Sequence, residues 1–108
     1  MIAATTTTAI AEHAHERLSD LLAEAVRYHA AALREADRNS RPWASMIEFL
    51  YAEARGFGEL ALLVAVLGDA EASRRIEGDL GRAQSTLAVL AEQARCAYRA
   101  AFSSPHHP

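Results

Sequence analysis

Residues 76–101, IEGDLGRAQSTLAVLAEQARCAYRAA, carry the most regular apolar pattern in the chain. Apolar residues return there in alternating steps of four and three, at Ile76, Leu80, Ala83, Leu87, Leu90, Ala94, Ala97 and Ala101. This spacing places them on one face of an α-helix, as in a coiled coil. After Leu90 the stripe contains only alanine, so a neighbouring helix is expected to approach closely there. The pattern predicts a helix over about 70–102.

A first helix is predicted over about 8–38, a stretch without Pro or Gly. It carries two adjacent apolar stripes, which indicates that it touches more than one neighbour. One stripe comprises Ala11, Ala14, Leu18, Leu21, Ala25, Tyr28 and Ala32, and the other comprises Leu22, Val26, His29, Leu33 and Ala36. We expect Thr8 to cap this helix, because a threonine side chain can accept a hydrogen bond from the first turn.

A second helix is predicted over about 42–67, between two groups of residues that favour helix ends. The first break is Asn39-Ser40-Arg41-Pro42, in which Pro42 suits a first helical turn. The second is Gly68-Asp69, with Gly68 ending one helix and Asp69 capping the next. Gly56-Phe57-Gly58 interrupts the second helix and predicts either a kink or a break at which the chain folds back as a four-helix domain.

These elements predict an all-α fold, a single domain over 1–108 built as an up-down-up bundle of three long helices, with a flexible tail at 103–108. Three such helices form a thin rod that leaves the second apolar stripes uncovered. We therefore expect a homo-oligomer that completes the bundle. Residues of the third helix are the candidates for its interface, namely Leu80, Leu87, Leu90 and Ala94.

Composition narrows the class of protein. Apolar residues make up 51% of the chain and the formal net charge is −3, which gives no general attraction to nucleic acid or to an anionic membrane. All eleven basic residues are arginine, a bias typical of a GC-rich bacterial genome. Cys96 is the single cysteine, so we expect a reducing, cytoplasmic location. The apolar run Leu60–Leu67 is too short to cross a bilayer, and Met1–Ile10 does not resemble a signal peptide.

One carboxylate occupies an apolar stripe, and it gives the candidate site. Glu53 lies among Met46, Leu50, Phe57 and Leu60 of the second helix. A buried carboxylate is costly unless it has a partner, so Glu53 is expected to be paired inside the bundle or, alternatively, to reach outward to solvent.

A first turn centred near Ser40 would bring His29 opposite Glu53, in a layer that also contains Tyr28 and Ser85. One interpretation is a small-ligand or metal-binding pocket; the other is a buried pair that sets the register of the helices.

A second short motif concerns metal binding. Glu12 and His15 have the Glu-x-x-His spacing of di-iron carboxylate bundles, but the chain contains no second copy of that motif. Whether any metal binds is left open, and solvated residues of a helical turn are the simpler interpretation.

No nucleophile, phosphate-loop or catalytic motif is present, so no catalytic residue and no cofactor are predicted. The sequence favours a non-enzymatic helical bundle that acts through protein–protein contact, as an adaptor, small regulator or assembly subunit. Its expected partners are itself and another protein, with no membrane. The alternatives are a ligand- or metal-binding bundle that uses His29 and Glu53, and a nucleic-acid accessory protein.

Overall fold

The computed structural model describes residues 2–36 and 41–103, with side chains over 5–36 and 41–101. It is all-α: every regular element in these ranges is a helix. The helices are α1 (Ile2–Arg34), α2 (Arg41–Arg55), α3 (Phe57–Val66) and α4 (Ala70–Ser103). The predicted residues of the first break before Arg41, and the tail from 104 onward, lie outside the described ranges.

The start of α1 differs from the sequence-based expectation. The helix begins at Ile2 rather than near residue 8, so Thr8 lies inside it and is not a cap. The reason lies in the packing of the first turns: Thr7 is fully buried and its hydroxyl bonds to Asp69, at the start of α4. A threonine on the inner face of the bundle thus continues the helix instead of beginning it.

The predicted interruption of the second helix occurs at a single residue, Gly56, which separates α2 from α3. The Gly56 N–H donates to the Glu53 carbonyl (3.1 Å) and the Glu59 N–H donates to the Gly56 carbonyl (3.2 Å). Both bonds span three residues, which is the tighter 3₁₀ pattern. α2 and α3 both pack along α4, and they make few contacts with each other.

The turn between α3 and α4 follows the prediction closely. Gly68 has a φ of +97°, a conformation that favours glycine. Its N–H bonds to the Ala65 carbonyl (3.0 Å), and the Asp69 N–H bonds to the Val64 carbonyl (3.2 Å), which together form a Schellman motif. Asp69 then accepts a bond from the Ala72 N–H (3.0 Å), so it caps α4 as predicted.

α4 is the centre of the packing, because it contacts each of the other three helices while α1 also packs on α2. The buried side chains include most of the predicted stripe of α4 and of the first stripe of α1. α2 and α3 add Ala44, Ile47, Leu50, Ala54, Ala61 and Val64. They form two core clusters, and Phe57 packs against both. Together the helices form a rod with extents of 70 × 16 × 15 Å.

This packing corrects the predicted interface in the third helix. Leu87 and Ala94 are fully buried against α1 and α2 of their own chain, and Leu80 and Leu90 pack at the edge of the same core. A stripe that faces the neighbouring helices of one chain is not free to contact a second chain. Of the four predicted residues, Leu80 and Leu90 are only partly buried and remain within reach of a second chain.

Candidate interaction surface

The predicted His29–Glu53 pair is absent from the structure. The side chain of Glu53 is 45% exposed and its carboxylate lies 4.0 Å from the guanidinium of Arg17. Position 53 is therefore beside position 17, whereas His29 lies about 18 Å further along α1 at 1.5 Å per residue. The prediction was wrong because it placed the turn near Ser40, whereas α1 ends at Arg34.

The remaining predicted site residues do not converge on one pocket either. Tyr28 stacks on Trp43, with ring centroids 5.7 Å apart, and the Trp43 indole N–H donates to Glu35 (3.0 Å). Ser85 is exposed on α4. His29 is half-buried, and its Nε2 atom is buried without a hydrogen-bond partner in the described part of the chain.

Three helices are joined by a polar cluster at one end of the rod. The Thr7 hydroxyl donates to the Asp69 carboxylate (2.5 Å), and the buried Ser73 hydroxyl donates to the Ala61 carbonyl (2.8 Å). The bond from Thr7, followed by the N–H of Ala72, lowers the pKa of Asp69 below its usual value. The cluster is structural, since each polar group serves to fix the positions of α1, α3 and α4 relative to one another along the rod.

Sequence reasoning missed Thr7 and Ser73 as buried residues, although their spacing contained the signal. Thr7 precedes Ala11 by four residues and so extends the first stripe of α1. Ser73 precedes Ile76 by three residues and extends the stripe of α4. Reading small hydroxyl residues as possible members of an apolar stripe would have placed both in the core.

A second polar group involves His15, one member of the predicted Glu-x-x-His motif. Its Nδ1 lies 3.0 Å from the Asp79 carboxylate, which also pairs with Arg82. Burial opposes ionisation of Asp79, but the bonds to His15 and Arg82 outweigh it and leave the pKa of Asp79 lowered. Among the described residues, no three His, Cys, Asp or Glu side chains are grouped so that they could hold a metal ion.

Near the C-terminal end of α4, the exposed side chain of Glu92 bonds to several neighbouring side chains. Hydrogen bonds from Arg95, Arg99 and Cys96, in that order of effect, lower the pKa of Glu92 to about 2. Arg95 also bonds to Glu48 and so links α4 to α2. Exposed ion pairs of this kind add little to stability, and these carboxylates already neutralise much of the arginine charge. We therefore interpret this group of ion pairs as a link between two helices.

The clearest unexplained surface belongs to α3. This helix, FGELALLVAV, contains one charged residue, Glu59, and its other side chains are apolar around the whole circumference. Its inner side is buried through Ala61 and Val64. Its outer side is exposed: Leu62 is 66% accessible, Leu63 49%, Val66 83%, and the adjoining Leu67 47%. We call these four residues the α3 outer face.

A helix that is apolar on every side is normally covered on every side. An exposed group of large apolar side chains commonly marks a contact surface. In the sequence, this surface corresponds to the unbroken apolar run Leu60–Leu67. None of the helices over residues 2–36 and 41–103 has the length and apolarity needed to cross a bilayer.

The second stripe of α1 is also incompletely covered. Val26 and Leu33 are about half exposed, while Leu22 packs at the edge of the core. The sequence correctly indicated that this stripe is separate from the main core face. It has fewer large exposed side chains than the α3 outer face and does not form a continuous apolar helix.

The described residues define a class: a slim all-α protein with an exposed apolar face on α3. No protein-family model, no curated protein and no solved structure matches this chain.

Proposed function

We propose that this chain is a non-enzymatic helical-bundle protein that acts through protein–protein contact, as an assembly subunit, small regulator or adaptor. The observation that carries the proposal is the α3 outer face. Two further features support it: the half-exposed second stripe of α1, and the lack of convergent polar groups around His29 and Glu53. The exposed thiol of Cys96 is compatible with a reducing compartment, and we propose that the protein is cytoplasmic.

The proposed topology is the up-down-up order expected of the three-helix pattern, with α2 and α3 together forming the middle segment. The contacts that support a parallel course for α1 and α4 are Thr7 with Asp69 and His15 with Asp79. Those that support an antiparallel course of the middle segment are Glu48 with Arg95 and Ala61 with Ser73. In this arrangement α3 has neighbours on its inner side only.

Self-association through the α3 outer face would remove the exposed apolar surface from water. Fully covering one Leu or Val contributes about 1.5–3 kcal/mol, so the uncovered fractions of the four side chains would contribute about 5 kcal/mol per chain. Two chains together gain about 10 kcal/mol, which is of the same order as the ~4–15 kcal/mol cost of association. The gain exceeds the cost only towards the lower end of that range, so we expect weak association that depends on protein concentration.

The test is the molar mass in solution, measured by light scattering over a range of concentrations. The wild-type mass should rise above 11.7 kDa with concentration. The double variant Leu62→Gln/Val66→Gln should stay monomeric and remain helical, because both side chains point away from the core. Val89→Gln is the control, since Val89 is also more than half exposed but lies on α4. A wild-type protein that stays monomeric at all concentrations, or a double variant that associates normally, would refute the proposal.

A further inference from the structure

We infer that the α3 outer face binds the same face of a second copy of this chain, with the two α3 helices antiparallel about a two-fold axis near residues 64–65. This inference rests on the proposed function and adds the identity and orientation of the partner.

The pattern of the face is self-complementary. Rotation about an axis between residues 64 and 65 places Leu62 opposite Leu67 of the second copy and Leu63 opposite Val66. Each of these side chains is about half exposed or more in the single chain. A two-fold contact uses one surface twice, and every large apolar group of this surface then meets another apolar group.

The single charge of α3 decides the orientation. Glu59 is exposed and lies one turn before Leu62 and Leu63, on the same side of the helix as Val66. In a parallel pair, each Glu59 would face the Glu59 of the second copy inside the contact, and the two like charges would repel each other. In the antiparallel pair the two Glu59 residues lie about 16 Å apart along the helices, at 1.5 Å per residue. That separation exceeds the Debye length of about 8 Å at physiological salt.

The inner contacts of α3 hold its outer face in place before any partner arrives. Ser73 bonds to the Ala61 carbonyl at 2.8 Å, and Ala61 and Val64 are buried in the core. The Schellman turn at Gly68 fixes the end of the helix. A face that is already rigid loses little conformational freedom on binding, which favours association by a modest surface.

The position of α3 predicts the shape of the dimer. α3 lies close to the end of the rod at which α1 and α4 begin, because Thr7 of α1 meets Asp69 just after α3. Two rods of 70 Å that overlap antiparallel at this end form a particle about 110 Å long, given a rise of 1.5 Å per residue. A parallel dimer would keep the length of one rod, 70 Å.

The orientation can be tested by cross-linking in a Cys96→Ser background, where the native thiol is removed. Single cysteines are introduced by Leu63→Cys, near the proposed axis, and by Glu59→Cys, away from it. A bis-maleimide reagent too short to join the two antiparallel Glu59 positions is then added. We expect a cross-linked dimer with Leu63→Cys and none with Glu59→Cys. The Leu62→Gln/Val66→Gln substitutions should abolish the cross-link at position 63.

Small-angle scattering of the unmodified protein provides the second measurement, with an expected maximum dimension close to 110 Å at concentrations where the mass has doubled. A maximum dimension near 70 Å for the unmodified dimer would overturn the antiparallel inference and leave the proposed function standing. This measurement decides the orientation even if position 59 cross-links, because Glu59→Cys removes the charge that disfavours the parallel pair. A dimer that does not cross-link at position 63 would show that another face is used, which also overturns the inference alone. A protein that never associates would overturn both.

Discussion

At the residue scale, two buried hydroxyl groups connect helices that apolar side chains alone would leave free to slide. Ser73 bonds from α4 to the Ala61 carbonyl of α3, and Thr7 bonds from α1 to Asp69. A buried hydroxyl group without a partner is costly. Each of these two residues therefore favours one register of the helices over the adjacent registers.

We predict that Ser73→Ala lowers the free energy of unfolding by about 1 kcal/mol, the usual net contribution of one hydrogen bond. The measurement is urea unfolding followed by circular dichroism at a fixed protein concentration. Ser85→Ala is the matched control, since Ser85 lies exposed on the same helix, and it should change stability by less than about 0.5 kcal/mol. Equal effects of the two substitutions would contradict the role of the Ser73 bond.

The lowered pKa of Asp69 gives a prediction about acid stability. The ionised carboxylate stabilises the folded state at pH values above its ordinary pKa of about 3.9, and that stabilisation is lost as the pH falls through the lower folded-state pKa. Wild type should therefore have a higher Tm than Asp69→Asn at pH 7, and the difference should shrink below about pH 4. Thr7→Val, which removes the main cause of the shift, should reduce this pH dependence. An unchanged pH profile in the Thr7→Val background would argue against the hydrogen bond as its source.

At the element scale, glycines with different backbone conformations should respond oppositely to the same substitution. Gly81 lies within α4 and has open space where a Cβ would be placed, whereas Gly68 has a φ of +97°. Gly81→Ala should stabilise the protein by up to about 1 kcal/mol through helix propensity. Gly68→Ala should destabilise it by about 1–2 kcal/mol because an alanine is strained there. Thermal and urea unfolding of both variants give the comparison, and a shared sign would contradict it.

The sequence predicted the elements better than their relative positions. The stripe of α4, the turn at Gly68-Asp69 and the interruption at Gly56 all depend on local periodicity and turn chemistry, which can be read from neighbouring residues. The pairing of Glu53 depends on where α1 ends, and an error of a few residues there moved its expected neighbour from Arg17 to His29. The burial of Thr7 was missed because a threonine near a chain end resembles a cap.

The candidate surface was harder to predict than the fold. Leu60–Leu67 was visible as an apolar run, but a run of that length is equally compatible with a buried segment. Only the packing shows that Ala61 and Val64 suffice to join α3 to the core and that Leu62 and Val66 remain outside.

At the scale of the whole molecule, the radius of gyration of 17.7 Å is well above the value of about 13 Å typical of a compact chain of this length. The rod is narrow, so many of its core residues are small and few are large. Stability should therefore depend strongly on the few large side chains that are fully buried, among them Leu18, Ile47 and Leu87.

We predict that Leu87→Ala lowers the free energy of unfolding by about 2–5 kcal/mol, because it opens a cavity where α4 packs against α1 and α2. Leu62→Ala should change the stability of the monomer by less than about 0.5 kcal/mol, since Leu62 is mostly exposed. Urea unfolding at low micromolar concentration, where association is weak, separates these effects. A large loss with Leu62→Ala under those conditions would mean that α3 depends on a partner for its own folding.

The alignment of nearly all helices with the long axis has a consequence for how the molecule tumbles. Backbone N–H bonds lie almost parallel to the axis of the helix that contains them. In a rod of 70 × 16 × 15 Å they therefore lie almost parallel to the long axis of the particle. Rotation of the particle about its long axis leaves the direction of these N–H bonds unchanged. Only the slower end-over-end rotation reorients them. The ¹⁵N relaxation rates of α1, α2 and α4 should accordingly be uniform and correspond to a mass above 11.7 kDa even in the monomer.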